Sequence, residues 1–252
     1  MPVTRHRPAA VRYPRLYSFY FSRGLWLEAD ILASVITSKQ LGGNVISVVA
    51  GDSVFSVAAA DALDRLIAQQ GGKAQTLDIR RDPDLSLARL AESASAIVLW
   101  LNPNEVRRLA ADARGKGPPL FLSATLGGAD PNLPAELRTR AWQVQLSGLP
   151  NEPDPALRRF QAWARGQGVK TQDEQRQALA YFACMVFAEG VKHTGLYISR
   201  DYVLDLLNHS SKLTAYLPLY TRGSITPWQR VLSRGGYLID FSGRTPPTWR
   251  VP

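Results

Sequence analysis

The sequence predicts an α/β protein in which a parallel sheet carries helices on both faces. Two short runs, VISVVA at residues 45–50 and AIVLWL at 96–101, are wholly apolar, which is typical of strands buried on both faces. Segments with apolar residues at helical spacing separate such runs. Strands joined by single helices need crossover connections, and these connections give parallel neighbours in a covered sheet.

The first part of the chain follows this alternation in order. Gly42-Gly43 and Gly71-Gly72 end two of the helical segments, and Asn102 before Pro103 is a natural helix cap. The stretch 124–133, rich in Gly, Asp, Asn and Pro, is predicted to be a loop. The predicted strands are 16–21, 45–50, 74–79, 96–101, 120–123 and 142–146. The predicted helices are 26–41, 54–70, 85–94 and 103–114.

The pattern changes after Gly148, where three prolines within six residues mark a crossover segment. Three further helices are predicted, at 155–166, 171–193 and 199–209. The helix at 171–193 is apolar on nearly every face in its second half, which predicts that this half is buried, with Cys184 as a small core residue.

The two ends of the chain have different patterns. Residues 1–14 are rich in Arg and Pro and predict a disordered lead, with no apolar segment or cleavage site of a signal peptide. At the other end, short runs at 229–232 and 237–241 are joined by Ser-Arg-Gly-Gly at 233–236, which predicts a β-hairpin.

Composition and charge narrow the class of protein. The chain has 30 basic and 21 acidic residues, a net charge of +9, but the arginines are scattered and no helix has a basic face interleaved with aromatic residues. No nucleic-acid partner is therefore expected. No apolar run reaches the roughly 18 residues that a transmembrane helix needs, so no transmembrane segment is expected either.

The sequence contains no recognisable catalytic or metal-binding motif. No dinucleotide-binding or phosphate-binding glycine pattern follows the strand at 45–50, and no G-x-S-x-G nucleophile turn occurs. The three histidines lie far apart, and the single Cys184 cannot form an internal disulfide or a multi-cysteine metal site. We therefore predict no catalytic residue, no metal and no cofactor, which favours binding over catalysis.

The predicted sheet gathers a set of loop residues at one edge. In an open α/β sheet, ligands bind outside the carboxyl ends of the parallel strands. The loops at those ends carry side chains suited to contact a ligand, although each also suits a helix cap, a turn or the core. The candidate ligand-binding residues are Arg23, Asp52, Ser53, Phe55, Asn102 and Thr125.

Several segments match, in order, the motifs of one known family. NVISVVAGDS at 44–53 is similar to a strand followed by the turn D-x-x-Y-G, and QQGGKAQ at 69–75 to a helix end, A-G-G and the next strand. DPDLSLARL at 82–90 is similar to D-F-S-x-x-L-x-x-L. ASAIVLWLNPNEVRRLAADAR at 94–114 then matches a D-x-V strand, a helix opened by proline and a closing A-R. The series resembles the type I periplasmic binding proteins, the Leu/Ile/Val-binding group.

The resemblance implies a periplasmic binding protein-like fold with a ligand held between two lobes that close about a hinge. Residues 15–149 are expected to form one complete lobe. Residues 150–252 are expected to hold the crossover, part of the second lobe with the long helix, and the terminal hairpin. Because only residues 1–14 precede the first predicted strand, the chain is expected to lack the first part of the fold.

The resemblance also implies a function. Members of the family are non-catalytic, cofactor-free proteins of the periplasm that deliver a small molecule to the membrane subunits of an ABC importer or to a sensor. Amino-acid binders hold the ammonium group with an aromatic and an acidic residue, and the matching positions here are Phe55, Asn102 and Thr125. None is acidic, and an ammonium ion without a counter-charge is costly to bury, so a neutral, apolar or acidic ligand is expected.

Two alternatives stay open at this point. One is a flavodoxin-like α/β enzyme that uses scattered loop residues, and the other is a degenerate homologue that binds nothing. Catalytic groups drawn from separate loops leave no motif, so the sequence alone does not separate these classes.

Overall fold

A computed structural model describes residues 20–113, 115–128, 133–148, 155–172, 174–192, 194, 198–209 and 231–252. The chain divides into two compact units. The first, which we call the sheet unit, is Ser22–Glu152 with Ser233–Pro252. The second, which we call the helical unit, is Met1–Phe21 with Pro153–Leu232.

One seven-stranded sheet, in the order β2-β1-β3-β4-β5-β6-β7, forms the centre of the sheet unit. Strands β1 to β5 run parallel, whereas β6 is antiparallel to β5 and β7 is antiparallel to β6. The strands are β1 Val45–Val49, β2 Ala74–Asp78, β3 Ala96–Trp100, β4 Leu120–Ser123, β5 Ala141–Gln145, β6 Gly236–Asp240 and β7 Thr248–Arg250.

Helices cover both faces of this sheet. Those of the sheet unit are α1 Leu25–Ser38, α2 Val54–Gln69, α3 Leu87–Ala91, α4 Pro103–Leu109, α5 Ala124–Gly127 and α6 Ala135–Arg138. Alternate residues of the central strands, such as Ile46 and Leu99, join one apolar core with α3, α4 and α6. Helices α1 and α2 pack on each other and against the remaining side of the strands. The central strands are therefore buried on both faces, as their unbroken apolar sequences predict.

The helical unit contains α7 Pro155–Gly166, α8 Glu174–Lys192 and α9 Arg200–His209. One stripe of α8 at helical spacing is buried, through Ala178, Phe182 and Val186. The prediction of all-round burial in the second half of α8 is wrong, because Cys184 and Phe187 are exposed. Apolar residues on every face of a helix indicate burial, but here the fully buried residues form one stripe, and Cys184 and Phe187 lie off it.

The α/β class and most of the predicted elements are confirmed, with differences at the loops and the carboxyl terminus. The predicted loop at 124–133 begins with helix α5, and α6 and β7 were not predicted. The predicted strand at 237–241 is found as β6, but its neighbours are β5 and β7, and residues 233–252 therefore extend the sheet of the sheet unit.

Several predictions fall wholly or partly outside the described residues. The disordered lead at 1–14 and most of the strand at 16–21 lie there, as do Gln229 and Arg230 of the predicted hairpin. Within the described part, Tyr20 and Val231 form an isolated parallel bridge in the helical unit.

Gly72 supplies a test of how tightly β1 and its neighbours pack. A Cβ at Gly72 would lie 2.8 Å from the Gly42 carbonyl oxygen and 2.7 Å from the Ile67 Cγ2 atom. Because a backbone oxygen cannot move aside cheaply, we expect Gly72→Ala to lower the free energy of unfolding by about 1–3 kcal/mol, measured by urea denaturation. Gly43→Ala is the matched control, since its Cβ would meet only Ser95 atoms at 3.9 Å. Equal stability of the two variants would contradict the expectation.

Candidate functional site

The strand order creates a crevice at the carboxyl edge of the sheet. Strands β1 and β3 are hydrogen-bonded neighbours, yet the chain leaves β1 for β2 on one side and leaves β3 for β4 on the other. Helix α4 joins the core on one face, and α2 packs with α1 on the opposite face. The loops after β1 and β3 therefore part from each other, and such a switch point is where open α/β sheets bind ligands.

A concavity of about 380 Å³ lies at this edge, entirely within the sheet unit. We call it the carboxyl-edge concavity. Loops after four parallel strands contribute to its lining. The lining residues are Ala50, Asp52, Ser53, Arg80, Trp100, Asn102, Glu105 and Leu126. Three of the six residues that the sequence proposes as ligand contacts, Asp52, Ser53 and Asn102, are thus brought together here.

Ser53 and Asn102 each begin a helix with the acceptor atom of the side chain. The Ser53 hydroxyl oxygen accepts from the Ser56 N–H at 3.3 Å, at the start of α2. The Asn102 Oδ1 accepts from the N–H groups of Asn104 and Glu105, and the Glu105 carboxylate accepts from the Asn102 N–H. The predicted cap at Asn102 is therefore confirmed as a reciprocal capping box. None of these bonds uses the Ser53 hydroxyl hydrogen or the Asn102 Nδ2 hydrogens.

Arg80 links three of the lining loops. One nitrogen of its guanidinium lies 3.1 Å from Asp52 Oδ2 and 2.9 Å from Glu105 Oε1. The Arg80–Asp52 pair is exposed and contributes about 0–1 kcal/mol to stability, whereas the Glu105 side chain is mostly buried; together the two pairs set the positions of the loops. Arg80 was not predicted, although it follows the carboxyl end of β2 and the rule that selected Asp52 and Asn102 applies to it equally.

The loops after β1 and β2 are also joined through backbone contacts. The Asp78 carboxylate accepts from the N–H groups of Gly51 and Arg80, each at 2.9 Å. A Cβ on Gly51 would overlap that carboxylate, so the close approach needs glycine at position 51. Asp78 therefore positions the Asp52 side of the concavity and the Arg80 side together.

Trp100, the last residue of β3, is one of the residues that line the concavity. Its side chain is fully buried, and its backbone oxygen accepts from the Ser56 hydroxyl. The indole Nε1 makes no hydrogen bond to any residue that the structure describes. A buried N–H group without a partner costs about 1–3 kcal/mol, so this nitrogen is a destabilising feature of the core behind the concavity.

Glu28 is the second functional group that the sequence did not reveal. It lies on α1, is fully buried, and accepts three hydrogen bonds from the turn that follows β4. The Ser123 hydroxyl donates to Oε2 at 2.5 Å, and the Thr125 N–H and hydroxyl donate to Oε1 at 3.1 and 2.7 Å. A usable signal was present, because Glu28 shares a helical face with the apolar residues Leu32 and Val35.

The surroundings of Glu28 change its acidity. Burial raises the pKa of the Glu28 carboxyl from 4.5 to about 7, and the hydrogen bonds from Ser123 and Thr125 oppose this rise. Desolvation disfavours the charged form, while donated hydrogen bonds favour it, and here desolvation is the larger effect. Near neutral pH the group is therefore present in both protonation states.

The remaining predicted site residues have other surroundings. Thr125 is bonded to Glu28 and is not among the residues that line the concavity. Arg23 pairs with Asp30 on α1. Phe55 lies in the first turn of α2 with 70% of its surface exposed, beside Ser53 but outside the lining. A role for these three in ligand contact stays a prediction.

Across the described residues, no three His, Cys, Asp or Glu side chains come together in a way that would hold a metal ion. Among the helices the structure describes, none has both the length and the apolar character that crossing a membrane requires.

The fold is similar to that of several solved structures. One is a branched chain amino acid ABC transporter protein from Thermus thermophilus with bound valine, at a TM-score of 0.64 and 13% identity over 91% of this chain and 66% of that one. A substrate binding protein of an ABC transporter from Aeropyrum pernix gives 0.63 and 12%, over 94% of this chain and 70% of that one. A possible leucine/isoleucine/valine-binding protein from Rhodopirellula baltica gives 0.59 and 13%, over 92% and 65%.

These comparisons establish the fold. The chain has the periplasmic binding protein-like architecture that its sequence resemblance implies, and it spans about two thirds of the length of these solved structures. No family model matches the sequence, and no curated protein matches it.

The raised pKa of Glu28 predicts that stability depends on pH. Between pH 4.5 and about 7 the folded protein holds a proton on Glu28 that the unfolded chain releases, so raising the pH favours the unfolded chain. Glu28→Gln cannot titrate. We expect the free energy of unfolding of the wild-type protein, relative to this variant, to fall by on the order of 3 kcal/mol across that range and to stay level above it. Urea denaturation at several pH values measures this, and a constant difference from pH 4.5 to 8 would contradict it.

Proposed function

We propose that this chain is a non-catalytic solute-binding protein that captures a small molecule at the carboxyl-edge concavity. One observation carries the proposal: side chains from separate strand ends line the concavity, and two of them, Ser53 and Asn102, keep donor hydrogens that the helix-capping bonds among the described residues do not use. The position agrees with the general rule for ligand sites in open α/β sheets. The likeness of the fold to ABC-transporter solute-binding proteins supports a binding role over a catalytic one.

The chemistry of the lining favours a ligand that offers acceptor oxygens. Ser53 contributes a hydroxyl hydrogen and Asn102 an amide Nδ2. The single positive charge of Arg80 faces two carboxylates, those of Asp52 and Glu105, so the formal charge of these lining groups is negative and disfavours an anion. A neutral molecule with carbonyl or hydroxyl groups fits this inventory better than a strongly acidic one.

The cellular role follows from the fold likeness and is part of the same proposal. We place the protein in the periplasm, where it would present its ligand to the membrane subunits of an ABC importer. The Thermus thermophilus protein was solved with valine bound, so a first screen includes neutral amino acids as the comparison class for ligands that carry no ammonium group. Residues 15–149 would supply most of one lobe of the binding protein, with residues 233–252 adding β6 and β7 to its sheet.

A thermal-shift screen tests the proposal directly. The library contains neutral amino acids, sugars and polyols, amides and dicarboxylates. A ligand at 100 times its Kd stabilises a protein by about 2.7 kcal/mol, which is a readily measured rise in Tm. We expect neutral acceptor-bearing compounds to give the largest rise. If no compound in any class raises the Tm, the protein is a degenerate homologue without ligand and the proposal fails.

Two serine caps provide a matched pair of variants. Ser53→Ala and Ser86→Ala each remove a hydroxyl that caps a helix, with acceptor distances of 3.3 and 3.4 Å to the capped N–H, and each should cost about 1 kcal/mol of stability. Only Ser53 lines the concavity. We therefore expect Ser53→Ala alone to weaken binding of a screened ligand, by about tenfold in calorimetry. Equal loss in both variants would show that binding responds to stability and not to the concavity.

Asn102 allows a sharper substitution. Asp is as good a helix cap as Asn, so Asn102→Asp keeps the acceptor of the capping box while it removes the amide donors and adds a negative charge. We expect an unchanged Tm without ligand and at least about tenfold weaker binding of a neutral ligand. Full affinity in this variant would exclude Asn102 as a ligand contact.

A further inference from the structure

We propose that Glu28 is a positioning residue for the carboxyl-edge concavity, holding the turn that carries Leu126, and that gain or loss of its proton rearranges that turn. The turn consists of Ser123, the last residue of β4, and of Thr125 and Leu126 in the short helix α5. The claim that Leu126 is part of a binding site rests on the proposed function. The claim that the proton on Glu28 is coupled to the arrangement of the turn does not depend on that function.

The hydrogen bonds connect Glu28 to Leu126 through one side chain. The Ser123 oxygen donates its hydrogen to Glu28 Oε2 and accepts from the Leu126 N–H at 3.1 Å. Leu126 in turn lines the concavity. Thr125, between them, is bound to Glu28 through both its backbone N–H and its hydroxyl. The Glu28 carboxyl group therefore holds Ser123 and Thr125 directly, and it holds the lining residue Leu126 through Ser123.

Protonation changes the direction of these bonds. An ionised carboxylate only accepts, and every partner in this turn donates to it, so the ionised form satisfies all three bonds. A proton on Oε2 must be donated, and the Ser123 oxygen can take it on its remaining lone pair. The Ser123 hydrogen then loses Glu28 as its acceptor. A proton on Oε1 likewise forces the Thr125 hydroxyl to accept where it had donated.

No other titratable group on the described elements packed against α1 contributes to the pKa shift of Glu28. Helix α1 packs against α2, β4, β5 and β6. Strands β4 and β5 carry no titratable side chain. The titratable residues of α1 and its cap, α2 and β6 are Asp30, Lys39, Asp61, Asp64, Arg65, Tyr237 and Asp240. None of them is among the causes that set the pKa of Glu28, which are burial and the bonds from Ser123 and Thr125.

Nuclear magnetic resonance reads the coupling without any ligand. The full chain is titrated from pH 5 to 9 while the amide signals of Thr125 and Leu126 and the methyl signals of Leu126 are followed. We expect all of them to shift with one common midpoint near pH 7. In Glu28→Gln the amide can still bond to the turn but cannot titrate, so the shifts should disappear. Signals that do not titrate, or that titrate equally in Glu28→Gln, overturn the proposal.

A second variant keeps the proposal testable if Glu28→Gln does not fold. Thr125→Val removes one donor to the carboxylate and keeps the backbone N–H. Because a donated hydrogen bond favours the ionised form, its loss should move the midpoint upward by about one pH unit. An unchanged or lower midpoint contradicts the assignment to Glu28.

Asp64 supplies the matched control. It is another carboxyl whose pKa burial raises, and it accepts from Thr76 and Ser47, away from the turn after β4. Asp64→Asn should leave the Thr125 and Leu126 titration unchanged. If the Thr125 amide titrates but the Leu126 methyl groups do not, the proton on Glu28 does not affect the lining residue, and the positioning role is overturned. The result of the thermal-shift screen for ligands would not be affected by this outcome.

Discussion

The pairing of β1 with β3 determines where the rest of the sheet unit can place its functional groups. These two strands are adjacent in space, but α2 and α3 with β2 lie between them in the sequence. Helices α2 and α4 therefore start side by side on opposite faces of the sheet. That divergence opens the edge of the sheet, and it brings Ser53 and Asn102 to the same concavity although 48 residues separate the two in the chain. A strand order without the switch would close this crevice.

The same residues that begin the helices supply the chemistry of the concavity. Each helix start leaves backbone N–H groups without partners, and a side-chain oxygen satisfies them. A hydroxyl or an amide that accepts in this way still has hydrogens to donate, so Ser53 and Asn102 stabilise the fold with one atom and keep other atoms for a ligand of the concavity that both residues line. The arrangement needs no additional polar residue in the core. It also explains why, in the sequence, Ser53 and Asn102 each fit two interpretations, a helix cap and a ligand contact.

A feature can be predicted from the sequence when it depends only on residues close together in the chain. The apolar runs at β1 and β3 and the cap at Asn102 follow from burial and from capping chemistry, and both are found. The α8 helix shows the limit of such rules, because the exposure of Cys184 depends on which elements pack against it and not on its own sequence. Arg80 and Glu28 were missed for a related reason. Each acts through partners 25 or more residues away, and pairings of that kind are determined by the sheet, not by local spacing.

The identity of residue 28 matters because a buried carboxyl group is an expensive way to hold a turn. Burial disfavours the ionised form of Glu28 more than its three donated hydrogen bonds favour it, and this raises the pKa of the carboxyl. A neutral glutamine at the same position would lose less on burial and could still accept from Thr125 and donate to Ser123. What a glutamine cannot do is change its bonding between pH 6 and 8. The ionisable group is therefore poorly explained as a structural fastener alone, and it is better explained if the turn beside the concavity exists in two hydrogen-bonded forms whose balance a proton sets.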